Sequence, residues 1–388
     1  MLAITNAKIH TMVGPVIEKG TIVIEDGKIT AVGADVKVPD GAQVVDAKGR
    51  HVSPGIIEAH GHAGVYEAGN GWAGADGNEA THPITPQVRA IDGANPEDTS
   101  FADFRKHGVT AMHIMPGSAN LIGGECFVVK HKEAATIDEM ILLWPSGMKA
   151  ALGENPKRVY GTQKKAPATR MGNAAMMREW LQKAKDYAAK KKKAAEDEDA
   201  KEPNFDMKLE ALVPVINGEM PMHIHCHRQD DIATAIRIAG EFGVKYTLEH
   251  ATLGHKVVDL LKENDVSCAV GPSMYFEGKV EVVGIGFDGP ATLHEHGVHF
   301  CLTNDHPVIH ARYLRVAAGQ LEAEGVPGED ALKSITIWAA EHIGVADRIG
   351  SIEQGKDADL VIWSGEPLDA RSRADVTMID GKVVFERE

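Results

Sequence analysis

Short apolar runs broken by Gly, Asn and Asp fill the first fifty residues. Leu2–Ile9, Gly20–Glu25 and Lys28–Val32 read as β-rich runs, Glu25-Asp26-Gly27-Lys28 as a tight hairpin turn, and Ala42–Asp46 as a further strand. The same pattern returns at the other end. Asp359–Trp363 and Val376–Ile379 are followed by an Asp380-Gly381-Lys382 turn into Val383–Phe385. Strands of this kind need a second layer to bury an apolar face, and each chain end offers one to the other. The pattern predicts one small β-sandwich built from both termini.

Between the ends, short apolar runs alternate with helical periodicity. Strands are expected near Ile56–His60, Val109–Met115, Phe127–Lys130, Met148–Leu152, Met222–His225, Val244–Glu249, Val266–Val270 and Val298–Thr303. Helices are expected over Asp230–Phe242, His255–Asn264 and Asp330–Ile343. Eight strands interleaved with helices predict an α/β fold, a (β/α)8 TIM barrel, with residues 1–53 and 351–388 forming the sandwich and 54–350 the barrel. Gly64–Asn95 is too polar for a core element and reads as a long loop beside the first barrel strand. Residues 173–203 read as a long helix whose Lys190–Lys193 and Glu196–Asp199 runs suit a solvated end.

Composition narrows the function. At 388 residues and 43% hydrophobic, the chain can build a large core. Its 41 basic and 56 acidic residues give a formal charge of −15, with no dense Lys/Arg patch interleaved with aromatics, so nucleic acid is not an expected partner. Cys126, Cys226, Cys268 and Cys301 are far apart and form no CxxC, which suits reduced core thiols. No charged leader and no membrane-length apolar stretch is present, so a cytoplasmic protein acting on a small molecule is expected, with self-association left open.

The chemistry gathers at expected strand ends. Residues i and i+2 of a strand point the same way, so His60 and His62 present two imidazoles to one point, which suits a borderline ion such as zinc. His225, from His223-Ile224-His225-Cys226-His227, and His250, from Leu248-Glu249-His250, would join them from two further strands. Asp305, in Asn304-Asp305-His306-Pro307, is either a turn residue or a carboxylate able to touch a metal and take a proton from its water. On that reading Asp305 and His250 carry catalysis. Lys149 is a further candidate ligand, provided that carbon dioxide converts it to a carbamate; Glu125 and Lys130 compete for the role. His113, His227, His306 and Asn120 are candidates for contacting substrate.

Together these residues resemble the amidohydrolase superfamily over essentially the whole chain. The resemblance rests on Pro54-Gly55 leading to His60-Gly61-His62, the two later histidines, Asp305, and the run Asp347–Leu360. It implies His60 and His62 on the first barrel strand, His225 on the fifth, His250 on the sixth and Asp305 on the eighth. It also implies one or two divalent metal ions, usually zinc, and hydrolysis at a carbon bonded to nitrogen. The segments Met115–Gly124 and Gly153–Gly161 look like a branch near imidazolonepropionase and the metal-dependent prolidases. Prolidase-like members carry a carboxylated lysine on the fourth strand, where Lys149 falls. Gly153-Glu154-Asn155-Pro156 replaces their Gly-Gly ending, and His306 replaces the small residue that often follows the aspartate. The expected reaction is hydrolysis of an amide, cyclic amide or dipeptide. The alternatives are deamination of a cyclic amidine or aminated heterocycle, and a metal-binding relative without catalysis.

Overall fold

A computed structural model describes the protein from Met1 to Glu388. Five strands open the chain: β1 (Leu2–Ile9), β2 (Ile17–Glu25), β3 (Lys28–Gly33), β4 (Gln43–Asp46) and β5 (His51–Pro54). Eight occupy the middle: β6 (Ile56–Gly61), β7 (Val109–Ile114), β8 (Ile122–Lys130), β9 (Ile141–Ala151), β10 (Met222–Cys226), β11 (Tyr246–His250), β12 (Cys268–Val270) and β13 (Phe300–Leu302). Three close it: β14 (Leu360–Trp363), β15 (Ala374–Ile379) and β16 (Lys382–Glu386).

The strands of both ends hydrogen-bond into one sheet in the order β16-β15-β14-β5-β1-β2-β3, with β4 beside β1. The join is antiparallel, Val52 of β5 facing Ile362 of β14. Alternation along these strands sends Ile4, Ile22, Ile24, Ile362 and Met378 into a core separate from that of the middle strands. Two Asp-Gly turns shape the sheet. Asp26 (φ 49°) with Gly27 (φ 78°), and Asp380 (φ 49°) with Gly381 (φ 70°), take the left-handed conformation that a two-residue hairpin requires.

The middle strands form a nearly closed barrel sheet in sequence order from β6 to β13. One strand breaks the expected parallel pattern. β8 runs antiparallel to both β7 and β9, so Ala111 faces Lys130 and Ile122 faces Ala150. A short connection replaces the helical crossover that a parallel pair needs. The reversal carries Lys130 to the end of the barrel opposite the His60–His62 strand terminus. β6 meets the segment after β13 through a single bridge, Gly61 with His306. Below it the carbonyls of Ser334 and Ile335 accept from the amides of Leu302 (3.0 Å) and Ile57 (2.9 Å). Those carbonyls are unavailable to a helix, and the expected helix over Asp330–Ile343 is accordingly two, Gly328–Lys333 and Ile337–His342.

The remaining helices follow the sequence pattern more closely. Gln229–Phe242 ends at Gly243, in left-handed conformation. The expected His255–Asn264 helix is a 3-10 turn, Gly254–Val257, leading into Val258–Glu263. The long helix spans Arg170–Glu196, capped by Thr169, and releases the acidic run into an irregular segment. The loop after β6 is tied to β8: Thr85 donates its amide to Ile122 (2.8 Å) and Val88 accepts from Glu125 (2.8 Å). It therefore continues the barrel wall past the point where β7 stops. All four cysteines are buried and unpaired, and no helix is long and apolar enough to cross a membrane.

Candidate active site

Alternation on β6, buried along its whole length, points Glu58 and His60 the same way, with His62 just beyond the strand end. The protons on three imidazoles can be assigned from their partners. His62 Nδ1 lies 2.7 Å from the Met115 carbonyl and His250 Nδ1 lies 2.8 Å from the Gly271 carbonyl. A carbonyl only accepts, so both nitrogens carry hydrogen and each Nε2 keeps its lone pair. His60 Nδ1 likewise meets the Glu249 carboxylate at 2.7 Å.

The freed Nε2 atoms converge on Asp305. Its Oδ1 lies 3.0 Å from His62 Nε2 and 3.7 Å from His60 Nε2. That oxygen is buried and makes no hydrogen bond. Lone pairs facing one another this closely call for a cation between them, and the donor set, two imidazoles and a carboxylate, is that of a divalent transition metal. His225, His227 and His250 bring three more ring nitrogens within 4.8 Å of one another. The clusters adjoin, since the His60 and His250 rings lie 4.6 Å apart. Asp305 and His250 leave their strands with φ of 53° and 73°, a left-handed conformation that L residues adopt at a cost of roughly 1–3 kcal/mol. Gly271 (φ 140°) allows the same close turn: a Cβ there would meet the Thr303 carbonyl at 2.0 Å.

Lys149 rises from β9 between the clusters, fully buried, with Nζ 3.1 Å from His60 Nε2. Burial pushes its pKa down, against the pull of Glu249 and Asp305. Burial lowers the pKa of His60, His225, His227 and His250 as well, so the rings stay neutral. Only protonated rings at His62, His250 and His60 would outweigh burial and hold Asp305 far below the usual carboxylate range. Glu58 goes the other way: burial lifts its carboxyl to about 8 despite hydrogen bonds from Thr303, Asn304 and His60.

A cavity of about 440 Å³ opens above these residues. Its walls include Tyr66 and Asn78 from the loop after β6, Asn155 and Arg158 after β9, and Tyr275 and Lys279 after β12. Lys279 is anchored to Glu281 (2.7 Å) and Asn155 (3.1 Å).

The structure brings together His60, His62, His225, His250, Asp305 and Lys149, and His227 faces the same cavity. Five other candidates lie elsewhere. Lys130, carried away by the reversal of β8, is ion-paired with Asp357 (2.8 Å), Asp359 (3.0 Å) and Asp380 (2.6 Å). Glu125 follows Gly124, which faces Lys149 across the sheet; alternation turns its side chain out of the barrel toward Arg89. His113 is buried below the cavity, bonded to Ser146 (2.8 Å). Asn120 fastens the loop by donating to the carbonyls of Glu79 (2.8 Å) and His82 (2.9 Å). The His306 ring packs edge-on against Phe104 (4.9 Å), while its carbonyl accepts from the His62 amide (2.8 Å). Pattern reading passed over Glu58 and Glu249. An acid inside an otherwise apolar strand was the available signal for both.

An eight-stranded barrel bearing a histidine–carboxylate cluster at one mouth defines the broad class. The chain belongs to the amidohydrolase family, whose profile matches residues 98–385. The crystal structure of an amidohydrolase from Thermotoga maritima MSB8 superposes with a TM-score of 0.96 at 42% identity, covering 100% of both chains. Amidohydrolase tasK of Hapsidospora irregularis is 31% identical over 95% of this chain, which spans 40% of the length of that relative. The imidazolonepropionase of Cupriavidus necator is 25% identical over 89% of this chain and 85% of its own.

Proposed function

We propose that the protein is a metal-dependent hydrolase of carbon–nitrogen bonds in small molecules. The observation that carries this reading is the convergence of His60 Nε2, His62 Nε2 and Asp305 Oδ1, with Lys149 beside them, at the floor of an open cavity. His60, His62 and Asp305 would hold one divalent ion, zinc by donor type, and His225 and His250 a second, with Lys149 reaching between them. Bound there, such an ion lowers the pKa of water and polarises the group under attack.

The chain's own residues supply the rest. Asp305, at the floor of the cavity, takes up a proton from the attacking water on the carboxylate oxygen not turned to the histidines and returns it to the leaving nitrogen. Glu249 fixes His60 through Nδ1, and the carbonyls of Met115 and Gly271 fix His62 and His250. An ammonium at Lys149 would oppose a cation. Addition of carbon dioxide to the neutral amine, with loss of one proton, gives a carbamate that ligates as a carboxylate does. Tyr66, Asn155 and Lys279 are placed to orient a substrate in the cavity.

The reading extends to the chain's organisation. Residues 1–53 and 351–388 are read as one unit around the barrel of 54–350, a single sheet that would fold over its separate core as a sandwich does. The test pairs elemental analysis with a panel of cyclic amides, dipeptides and aminated heterocycles. Bound divalent metal and release of a ring-opened or cleaved amide are expected. Metal-replete protein inert toward the whole panel would overturn the proposal, and ammonia release without cleavage would move it to deamination.

A further inference from the structure

A second cluster of metal-ligating groups stands apart from the catalytic cavity, where the small sheet meets the barrel. His10 follows β1 and is 2% exposed. Its Nδ1 donates to Glu329 at 2.6 Å, at the start of the Gly328–Lys333 helix. That bond leaves the Nε2 lone pair facing His51, the first residue of β5, whose Nδ1 is 2.8 Å away. The His51 nitrogen is also 3.4 Å from Oε2 of Glu366, in the loop after β14. His10, His51 and Glu366 thus present ligand atoms within 4.8 Å of one another, and Glu329 stands behind His10 as carboxylates stand behind metal-bound histidines.

We propose that His10, His51 and Glu366 form a structural site for a divalent transition ion of the zinc type, with Glu329 orienting His10. Bonds of about 2.0–2.1 Å at tetrahedral angles hold two ligand atoms roughly 3.3 Å apart. The His51–Glu366 separation already matches, and the His10–His51 pair has to open by about half an ångström. Movement of the His51 proton to Nε2 frees Nδ1 as a ligand, and water completes the four positions.

Charge points the same way. Glu329 and Glu366 pair with no lysine or arginine, only with these two imidazoles. A divalent ion would tie together three regions distant in sequence: the N-terminal strands, the loop after β14 and a barrel helix. The competing account is a plain hydrogen-bonded chain from His51 through His10 to Glu329, with no affinity for metal.

The experiment uses the full chain with its catalytic metal in place and counted, titrated with Zn²⁺ by calorimetry. One additional equivalent per chain is expected, with a dissociation constant in the micromolar range or below and a rise in the unfolding midpoint. Glu366→Gln and His51→Gln, both at solvent-accessible positions, should each weaken this binding by at least about tenfold while leaving turnover unchanged. Absence of the extra equivalent, or equal binding by both variants, overturns the proposal in favour of the hydrogen-bonded chain.

Discussion

His60 Nδ1 donates a hydrogen bond to Glu249 across 2.7 Å, joining the first barrel strand to the sixth beneath the cavity. Glu249 is fully buried, and its other oxygen accepts from Thr247 (2.8 Å) and His342 (3.0 Å). Burial alone would raise its pKa, yet His342, His223 and His60 together hold it well below the usual range. Glu249→Gln should therefore loosen His60 without removing any ligand. Metal affinity is expected to fall about 10–100-fold, measured by competition with a chelating dye. Retention of wild-type affinity would show that His60 is oriented by packing alone.

Asp305→Asn keeps the shape of the side chain and removes the basic oxygen. Metal content should stay close to wild type while turnover falls by roughly 10²–10⁴-fold, the usual scale for a positioned proton transfer. Both quantities are read on the same preparation. Full metal with near-normal turnover would exclude Asp305 as the proton carrier.

Lys149→Ala tests the bridging role. Stoichiometry should drop from about two ions toward one, with activity partly restored by short-chain carboxylic acids that occupy the vacated space. Because Lys149 is buried beside His60, a folded variant with unchanged stoichiometry would leave the lysine a packing role only.

Lys130 sets a pH dependence of stability unconnected with catalysis. Burial lowers its pKa, but Asp359, Asp357 and Asp380 outweigh this and raise it. A raised lysine contributes stability present below its unfolded pKa and lost as pH climbs through the folded one. Asp357 has the opposite sign: burial raises it, but Lys130, Lys28 and Arg348 bring it from 3.8 to about 2. Its contribution is present above 3.8 and fades as pH falls toward 2. Lys130→Met strands buried carboxylates and should cost about 3–5 kcal/mol near neutrality in denaturant titrations. The loss should shrink near pH 3, where the aspartates left without Lys130 in the variant protonate and no longer strand a charge. A pH-independent loss would assign the effect to packing.

What the sequence disclosed divides along physical lines. The meeting of His60, His62, His225, His250 and Asp305 at one mouth was legible because an acid or imidazole closing an apolar run leaves a local imprint. The direction of β8 left none. Phe127–Lys130 is equally apolar in either sense, and the tie between Lys130 and Asp357, Asp359 and Asp380 spans more than two hundred residues. His113 and His306 show the converse difficulty. Each has the composition of a site residue, but only packing against Ser146 or Phe104 shows that its ring is spent on structure. The broken helix at Ser334–Thr336 was hidden too, since its cause is two strands in need of carbonyls.

The loop laced to β8 makes the mouth of the cavity unequal. On that side Thr85 and Val88 are fixed to strand backbone, and Tyr66 and Asn78 are bonded to each other, so the wall is anchored to the barrel. Across from it, Lys279 and Glu281 are tied to Asn155 (3.1 Å) and to the Glu154 amide (2.7 Å), while the preceding Tyr275-Phe276 stretch leaves Phe276 largely exposed. Divergence in what relatives of this barrel accept should therefore accumulate around Tyr275 and Phe276. An engineer seeking a new substrate would randomise those two and leave Tyr66, Asn78 and the buried Val282 alone.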